Sequence, residues 1–237
     1  CTDTLIKIGT LASERDESYK TLIDELQARH HEIIDSFLPV EKQAESKEVC
    51  DGLFDSLRSI AQGVYLLGEL SPASLDAIQS FGELWSTKIL ATKLASIGIA
   101  TKWIDSREII RTVSKGDKNV VDIQKTYYRV NEMVEKNPIT QLFVLPGFIA
   151  ADKQGRTTTL GRGGSDYTAS LYAVGCKARI LEIWTDVPGM MTSNPKVVPT
   201  ARTINNISYK AALELSHFGA KVIYPPTIQP VVAEGIP

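Results

Sequence analysis

This sequence has too few cysteines, too widely placed, for a disulfide framework or a zinc site. Cys1, Cys50 and Cys176 are odd in number and far apart, which points to a reducing, cytoplasmic compartment. Charge of one sign is missing as well. Its 26 basic and 28 acidic residues leave a formal net charge of -2, so nothing in the composition marks a nucleic-acid partner or an anionic membrane surface. No apolar run approaches the roughly 20 residues of a membrane span, and no signal-peptide pattern opens the chain. Two phosphate-binding motifs are absent: there is no G-x-x-x-x-G-K-[ST] and no G-x-G-x-x-G, which excludes a P-loop and a Rossmann fingerprint. The histidines offer no metal site. His30 and His31 are adjacent, with neither i, i+4 spacing nor a converging third ligand, and read as solvated helix surface; His217 reads as a helix C-terminal residue.

What is present suits a globular protein that buries a real core, since 43% of the 237 residues are hydrophobic. Apolar residues spaced by three and four predict amphipathic helices over 13–38 and from about Lys47 to Leu67. A third helix, with Ser71 as cap and Pro72 at its first position, runs to about Ile97. From Ile99 the texture changes. Short apolar runs, "IATKWID", "QLFVLPGFIA", "TTTLG", "ARILEIWTD" and "KVIYP", alternate with helical stretches near 123–136, 165–175, 208–217 and 226–234. That alternation predicts an α/β fold with a mostly parallel sheet covered on both faces. The polar "SKGDKN" at 114–119 reads as a loop.

Four segments carry chemistry. "GRGGSD" at 161–166 lies between a strand and a helix N-terminus, a place where backbone N–H groups and the helix dipole attract phosphate or carboxylate. There Gly163 and Gly164 allow close approach and Arg162 can grip a carboxylate with both arms of its guanidinium; the plainer alternative is a capped helix after a glycine turn. "EIWTDVPGMMTSNPK" from Glu182 to Lys196 follows a strand and can enclose a nucleotide, or be an ordinary loop. Lys221 in "SHFGAKVIYP" can reach phosphates as a point charge, or be solvated surface. Glu83, after Gly82 in an apolar helix, can bind an ammonium group, or sit on the helix surface.

Taken together and in this order, "SFGELWS", "GRGGSDYTA", "EIWTDVPGMMTSNPK" and "ELSHFGAKVIYP" resemble the aspartate kinases of the amino-acid kinase superfamily, over nearly the whole chain. The helical region is similar to the version fused to homoserine dehydrogenase. The resemblance implies a three-layer αβα amino-acid kinase fold, with a helical substrate-side region at about 10–98 and a nucleotide-side region at about 99–237. It implies transfer of the γ-phosphoryl group of MgATP to the side-chain carboxylate of L-aspartate, the committed step toward lysine, threonine, methionine and isoleucine. Thr2 and Glu83 would contact the substrate, Glu83 at its ammonium group. Arg162, Gly163, Gly164 and Ser165 would clamp the α-carboxylate, and Asp166 would organise the reacting groups. Thr185, Asp186, Met191, Lys196, Lys221 and Val222 would hold the nucleotide; the cofactors implied are ATP and Mg2+, with no protein metal site. The partners implied are these small molecules and a second copy of the chain, as the family is commonly dimeric.

The chain departs from the family's pattern in the nucleotide segment and at the front. Met191 stands where a tyrosine is usual, and Asn194 to Lys196 read "NPK" in place of "DPR"; lysine keeps the charge and loses the fork. The family's opening strand and its "KFGGTS" lysine have no counterpart. Lys7 in "IKIGTLAS" is not that lysine, because the residues around it continue into a helix. Both ends read as cut, so the expectation is a part of a longer protein, inactive or nearly so alone. The readings left beside this one are a kinase for glutamate or acetylglutamate and a non-catalytic module sensing aspartate or nucleotide.

Overall fold

Apolar residues recurring every three or four positions build the first hundred residues into four helices, α1 (Thr2–Ser13), α2 (Ser18–Phe37), α3 (Val40–Leu67) and α4 (Pro72–Ser96). They are seen in a computed structural model that describes residues 1–116, 118–217 and 224–237. α3 starts at Val40 rather than near Lys47, because "EKQAESKE" is rich in strong helix formers that carry no apolar period. α3 stops at Gly68, whose left-handed φ of 70° suits a residue without Cβ. α4 begins as the sequence predicts, with Pro72 in its first turn and the Ser71 hydroxyl accepting the Ser74 N–H at 3.1 Å. Leu5, Ile8, Tyr19, Ile34, Phe54 and Leu57 share one core with Leu84 and Trp85 of α4, and Phe54 stacks on Trp85 with ring centroids 4.1 Å apart. Such a pair contributes about 0.5–1.5 kcal/mol beyond its buried area.

His30 corrects one expectation. It is buried, not solvated, with Nδ1 2.7 Å from the Leu26 carbonyl and its ring against Phe54 and Trp85. It falls on the stripe Ile23, Leu26, His30, Ile34, so the helical period places it inside. Burial lowers its pKa and favours the neutral ring. Its neighbour His31 points the other way, to Asp51 at 2.7 Å.

The second part alternates strands and helices: β1 (Thr101–Trp103), α5 (Ser106–Ile109), β2 (Thr112–Lys115), β3 (Lys118–Val121), α6 (Ile123–Glu135), β4 (Leu142–Val144), β5 (Ile149–Ala151), β6 (Thr157–Thr159), α7 (Gly164–Gly175), α8 (Tyr209–His217) and α9 (Pro225–Ala233). β1 pairs with β4 in parallel, β5 with β6 antiparallel, and an isolated parallel bridge joins Arg111 to Ala151. "SKGDKN" is not a free loop; it forms the end of the antiparallel β2–β3 hairpin, with Gly116 at φ 63°. "ARILEIWTD" forms no described strand, and "KVIYP" lies largely outside the described residues. A strand requires a ladder of backbone bonds, and among the described residues this run offers none: the Ala178 N–H turns back to the Ala173 carbonyl at 2.8 Å and the Leu181 N–H reaches the Pro237 carbonyl at 2.9 Å. The layering is written into β5, whose successive residues face opposite sides. Ile149 joins the core with α1–α4, whereas Ala150 joins a second core with Leu171 of α7.

Candidate active site

Strand β6 delivers the chain to "GRGGSD" at the start of α7. Gly161 and Gly163 both take left-handed φ, 70° and 69°, a conformation glycine adopts without strain. Gly163 is the N-cap of α7 and no side chain caps that helix, so the helix opens on backbone donors and the positive end of its dipole. Ser165 and Asp166 are therefore not the cap that the plainer reading supposed. Gly163 and Gly164 are also crowded. A Cβ on Gly163 would lie 2.9 Å from Thr227 and from Tyr224, and one on Gly164 would lie 2.8 Å from Phe148. Ser165 approaches Gly147, where a Cβ would be 3.1 Å from the Ser165 backbone. Arg162 is exposed, with its guanidinium carbon 5.8 Å from the Tyr224 ring and no carboxylate partner among the described residues. Asp166 is half-buried, and burial raises its carboxyl pKa.

Two residues that the motifs did not single out hold this loop. Thr168 accepts the Phe148 N–H at 3.0 Å and donates to the Gly164 carbonyl at 2.8 Å. That tie fixes Phe148 at φ 68°, a strained conformation for a residue with a side chain. Asp76 of α4 receives both the Thr159 N–H at 3.2 Å and its hydroxyl at 2.7 Å. α4 is thereby bolted to the end of β6, three residues before Arg162. Glu83 lies seven residues after Asp76, two turns along the same face of α4. Thr168 lies inside "GRGGSDYTA", but one threonine in a helix carries no signal of its own. Asp76 does, through that spacing.

Glu83 is half-buried and its carboxylate has no partner among the described residues; burial raises its pKa above the usual carboxylate range. A Cβ on Gly82 would lie 3.3 Å from the Cys1 sulfur, so the start of α1, with Thr2 exposed, abuts the "GE" pair. Lys7 is exposed on α1, helical as read. The nucleotide segment is exposed and locally organised. Thr185 donates to Asp186 at 3.1 Å, Met191 bridges Thr203, and the Asn194 side chain accepts the Lys196 N–H at 3.0 Å. Among the described residues, its hydrogen bonds do not reach Arg162, Asp166 or Glu83. Lys221 and Val222 lie outside the described residues.

Comparison with known proteins gives a consistent result. A family model described as the amino acid kinase family matches residues 2–237. A bifunctional aspartokinase/homoserine dehydrogenase of Zea mays is 31% identical over 237 residues, covering all of this chain and 26% of that protein. The lysine-sensitive aspartokinase 3 of Escherichia coli is 37% identical over 191 residues, 81% of this chain and 42% of that one. The solved structure of E. coli aspartokinase III with aspartate and ADP superposes with a TM-score of 0.86 at 31% identity, over 98% of this chain and 50% of that one. An aspartate kinase of Clostridium acetobutylicum gives a TM-score of 0.78 at 28% identity, over all of this chain and 48% of that one. The chain thus spans between about a quarter and a half of the length of these relatives.

Proposed function

The chain belongs to the amino acid kinase family, and on that premise we propose that it carries the acceptor grip and part of the nucleotide site of an aspartate kinase. The reaction is transfer of the γ-phosphoryl group of ATP to the side-chain carboxylate of L-aspartate, giving 4-phospho-L-aspartate. The observation that carries this reading is a pair of unmatched charges on two elements tied to each other. Among the described residues Arg162, at the uncapped start of α7, has no carboxylate partner and Glu83 on α4 has no cation, with Asp76 and Thr159 joining their supports. A free guanidinium and a free carboxylate on a fixed frame suit the α-carboxylate and α-ammonium of an unmodified amino acid. An N-acetylated acceptor has no ammonium for Glu83. E. coli aspartokinase III, a structure neighbour, was solved with aspartate and ADP, which supports the same pair of ligands here.

In this reading Thr2 and Ser165 contact the amino acid, Gly163 and Gly164 let it approach the backbone, and Asp166 lies at the reacting carboxylate. Thr185, Asp186, Met191 and Lys196 hold the nucleotide together with Lys221 and Val222. Phosphoryl transfer depends mainly on positioning and charge neutralisation, and these residues supply both. Among the described residues no cluster of three His, Cys, Asp or Glu side chains is placed to hold a metal. Mg2+ in this reading arrives on the nucleotide's phosphates. The setting is amino-acid biosynthesis in the cytoplasm, with a homodimer as the working form.

The test is acyl-phosphate trapping by hydroxylamine with ATP and, in turn, L-aspartate, L-glutamate and N-acetylglutamate. It is run on this chain and on the longest natural chain that contains it. Hydroxamate from aspartate alone in the longer chain is the expected result; equal turnover of N-acetylglutamate would overturn the reading. Robust turnover by the 237-residue chain itself would show that no further phosphate-binding lysine is required.

Glu83 makes the grip sensitive to pH. It binds an ammonium only when ionised, and burial has moved its ionisation to higher pH. Aspartate affinity should therefore rise with pH through that raised value and level off above it. Glu83→Gln should flatten the profile and weaken binding by about 10- to 100-fold, the range for one charged hydrogen bond. Calorimetric titration between acid and neutral pH checks both statements. For Asp76→Ala, loss of the tie to Thr159 should raise the aspartate Kd about tenfold and leave that for ADP unchanged. Asp76→Asn, which keeps one acceptor oxygen, should stay closer to the parent; a shift of both ligands together would mark a general loss of structure instead.

A further inference from the structure

A cavity of about 280 Å³ opens between α3, α4 and β1, with walls formed by Val49, Leu53, Trp85, Ile89 and Trp103. It lies away from the amino-acid grip. Glu83 and Lys88 are five residues apart, about 140° around α4, so the cavity belongs to a different face of that helix. The wall is mostly apolar; its charged groups are Lys42, Glu45 and Lys88. The Lys88 ammonium sits 3.6 Å from the centre of the Trp103 ring and has no carboxylate partner among the described residues.

Neighbouring carboxylates are already engaged. Asp105 is held by Arg107, whose Nη2 and Nε lie 2.6 and 3.0 Å from its oxygens, and Glu45 in the cavity wall is met by Lys42 at 3.3 Å. Trp103 cannot turn away from the cation, because its indole N–H donates to the Thr87 hydroxyl at 2.9 Å. In the same lining, the buried indole N–H of Trp85 meets no acceptor among the described residues. The site thus holds a cation without a carboxylate partner and one indole N–H, that of Trp85, without an acceptor among the described residues, set in mostly apolar walls. Burial lowers the Lys88 pKa, while Cys50, which also lines the cavity, has its thiol pushed up to about 12. That thiol stays protonated and acts as apolar surface.

We propose that this cavity is a second ligand site, for a small amphipathic carboxylate whose apolar body lies between Trp85 and Trp103 and whose acid group pairs with Lys88. Pockets of this kind, mostly apolar with a few placed polar groups, are the usual form of small-molecule sites. Unlike the acceptor grip, this site's lining carboxylate, Glu45, is already paired with Lys42. The site therefore favours an acid without an amino group over an amino acid.

Fluorescence tests this directly, because the chain has three tryptophans and two of them line the cavity. Trp184→Phe removes the third, which is 89% exposed. The full chain carrying that change is titrated with 3-phenylpropionate and with its neutral amide, 3-phenylpropanamide. The expected result is a saturable change in emission with the acid, at a Kd about tenfold below that for the amide and unaffected by L-aspartate. Adding Lys88→Met should bring the acid's Kd to that of the amide, and Lys88→Arg should keep the preference. Equal affinity for acid and amide in the Lys88-containing chain, or no saturable change, would overturn the proposal; neither result depends on the folding of a Lys88 variant. Competition by L-aspartate would overturn it as a separate site.

Discussion

Arg162→Ala is expected to lower kcat/KM for aspartate by two to three orders of magnitude in the full kinase, with the KM for ATP little changed. The side chain is exposed and has no carboxylate partner among the described residues, so truncating it leaves no buried partner behind and should not disturb stability. What is lost is a two-pronged bond to a carboxylate, with each charged hydrogen bond worth about 1.5–3 kcal/mol. About 3–4 kcal/mol in total corresponds to a factor between a hundred and a thousand. Arg162→Lys should recover part of this, because the charge returns without the planar fork. Steady-state kinetics with both substrates varied separates the outcomes. A rise in the KM for ATP with an unchanged KM for aspartate would place Arg162 on the nucleotide and sink the proposed grip.

Much of this site was legible from spacing and residue chemistry, and the missing parts have identifiable causes. The helices of the first hundred residues follow the apolar period, and Ser71 with Pro72 marks the start of α4 through capping chemistry. The glycine-rich turn into α7 is legible because glycine and arginine together have few reasons to be there. His30 carries no metal spacing and so reads as surface, yet the apolar stripe of α2 places it inside. The strand expected over "ARILEIWTD" failed for another reason: propensity names a residue's preference, while a strand exists only with a partner to complete its ladder. The Phe148 backbone could not be foreseen. Its φ of 68° is imposed by Thr168, twenty residues later, and by the Leu160 N–H, which donates to the Phe148 carbonyl at 2.8 Å. Pairing between distant segments belongs to the tertiary fold and leaves no local pattern.

The two left-handed glycines of the loop, Gly161 and Gly163, allow the roles of backbone conformation and of packing to be separated. Both have nearly the same φ, 70° and 69°, yet a Cβ on Gly161 would meet open space while one on Gly163 would press within 2.9 Å of Thr227 and Tyr224. Alanine at Gly161 should therefore carry the conformational penalty alone, about 1–2 kcal/mol. At Gly163 the same penalty is joined by overpacking against α9, typically a further 1–3 kcal/mol. For a chain of this size each 1 kcal/mol shifts Tm by about 2–4 °C, so Gly163→Ala should melt several degrees below Gly161→Ala. Valine at Gly163 should be worse still, since a β-branched side chain tolerates that φ least. Relief can come only by moving α9 away from α7, and that movement displaces Tyr224 from beside Arg162. Gly163→Ala should then weaken aspartate binding beyond its effect on stability, whereas Gly161→Ala should not. Equal melting temperatures for the two alanine variants would mean that the α7–α9 contact yields without resistance, and that conformation alone explains glycine at both positions.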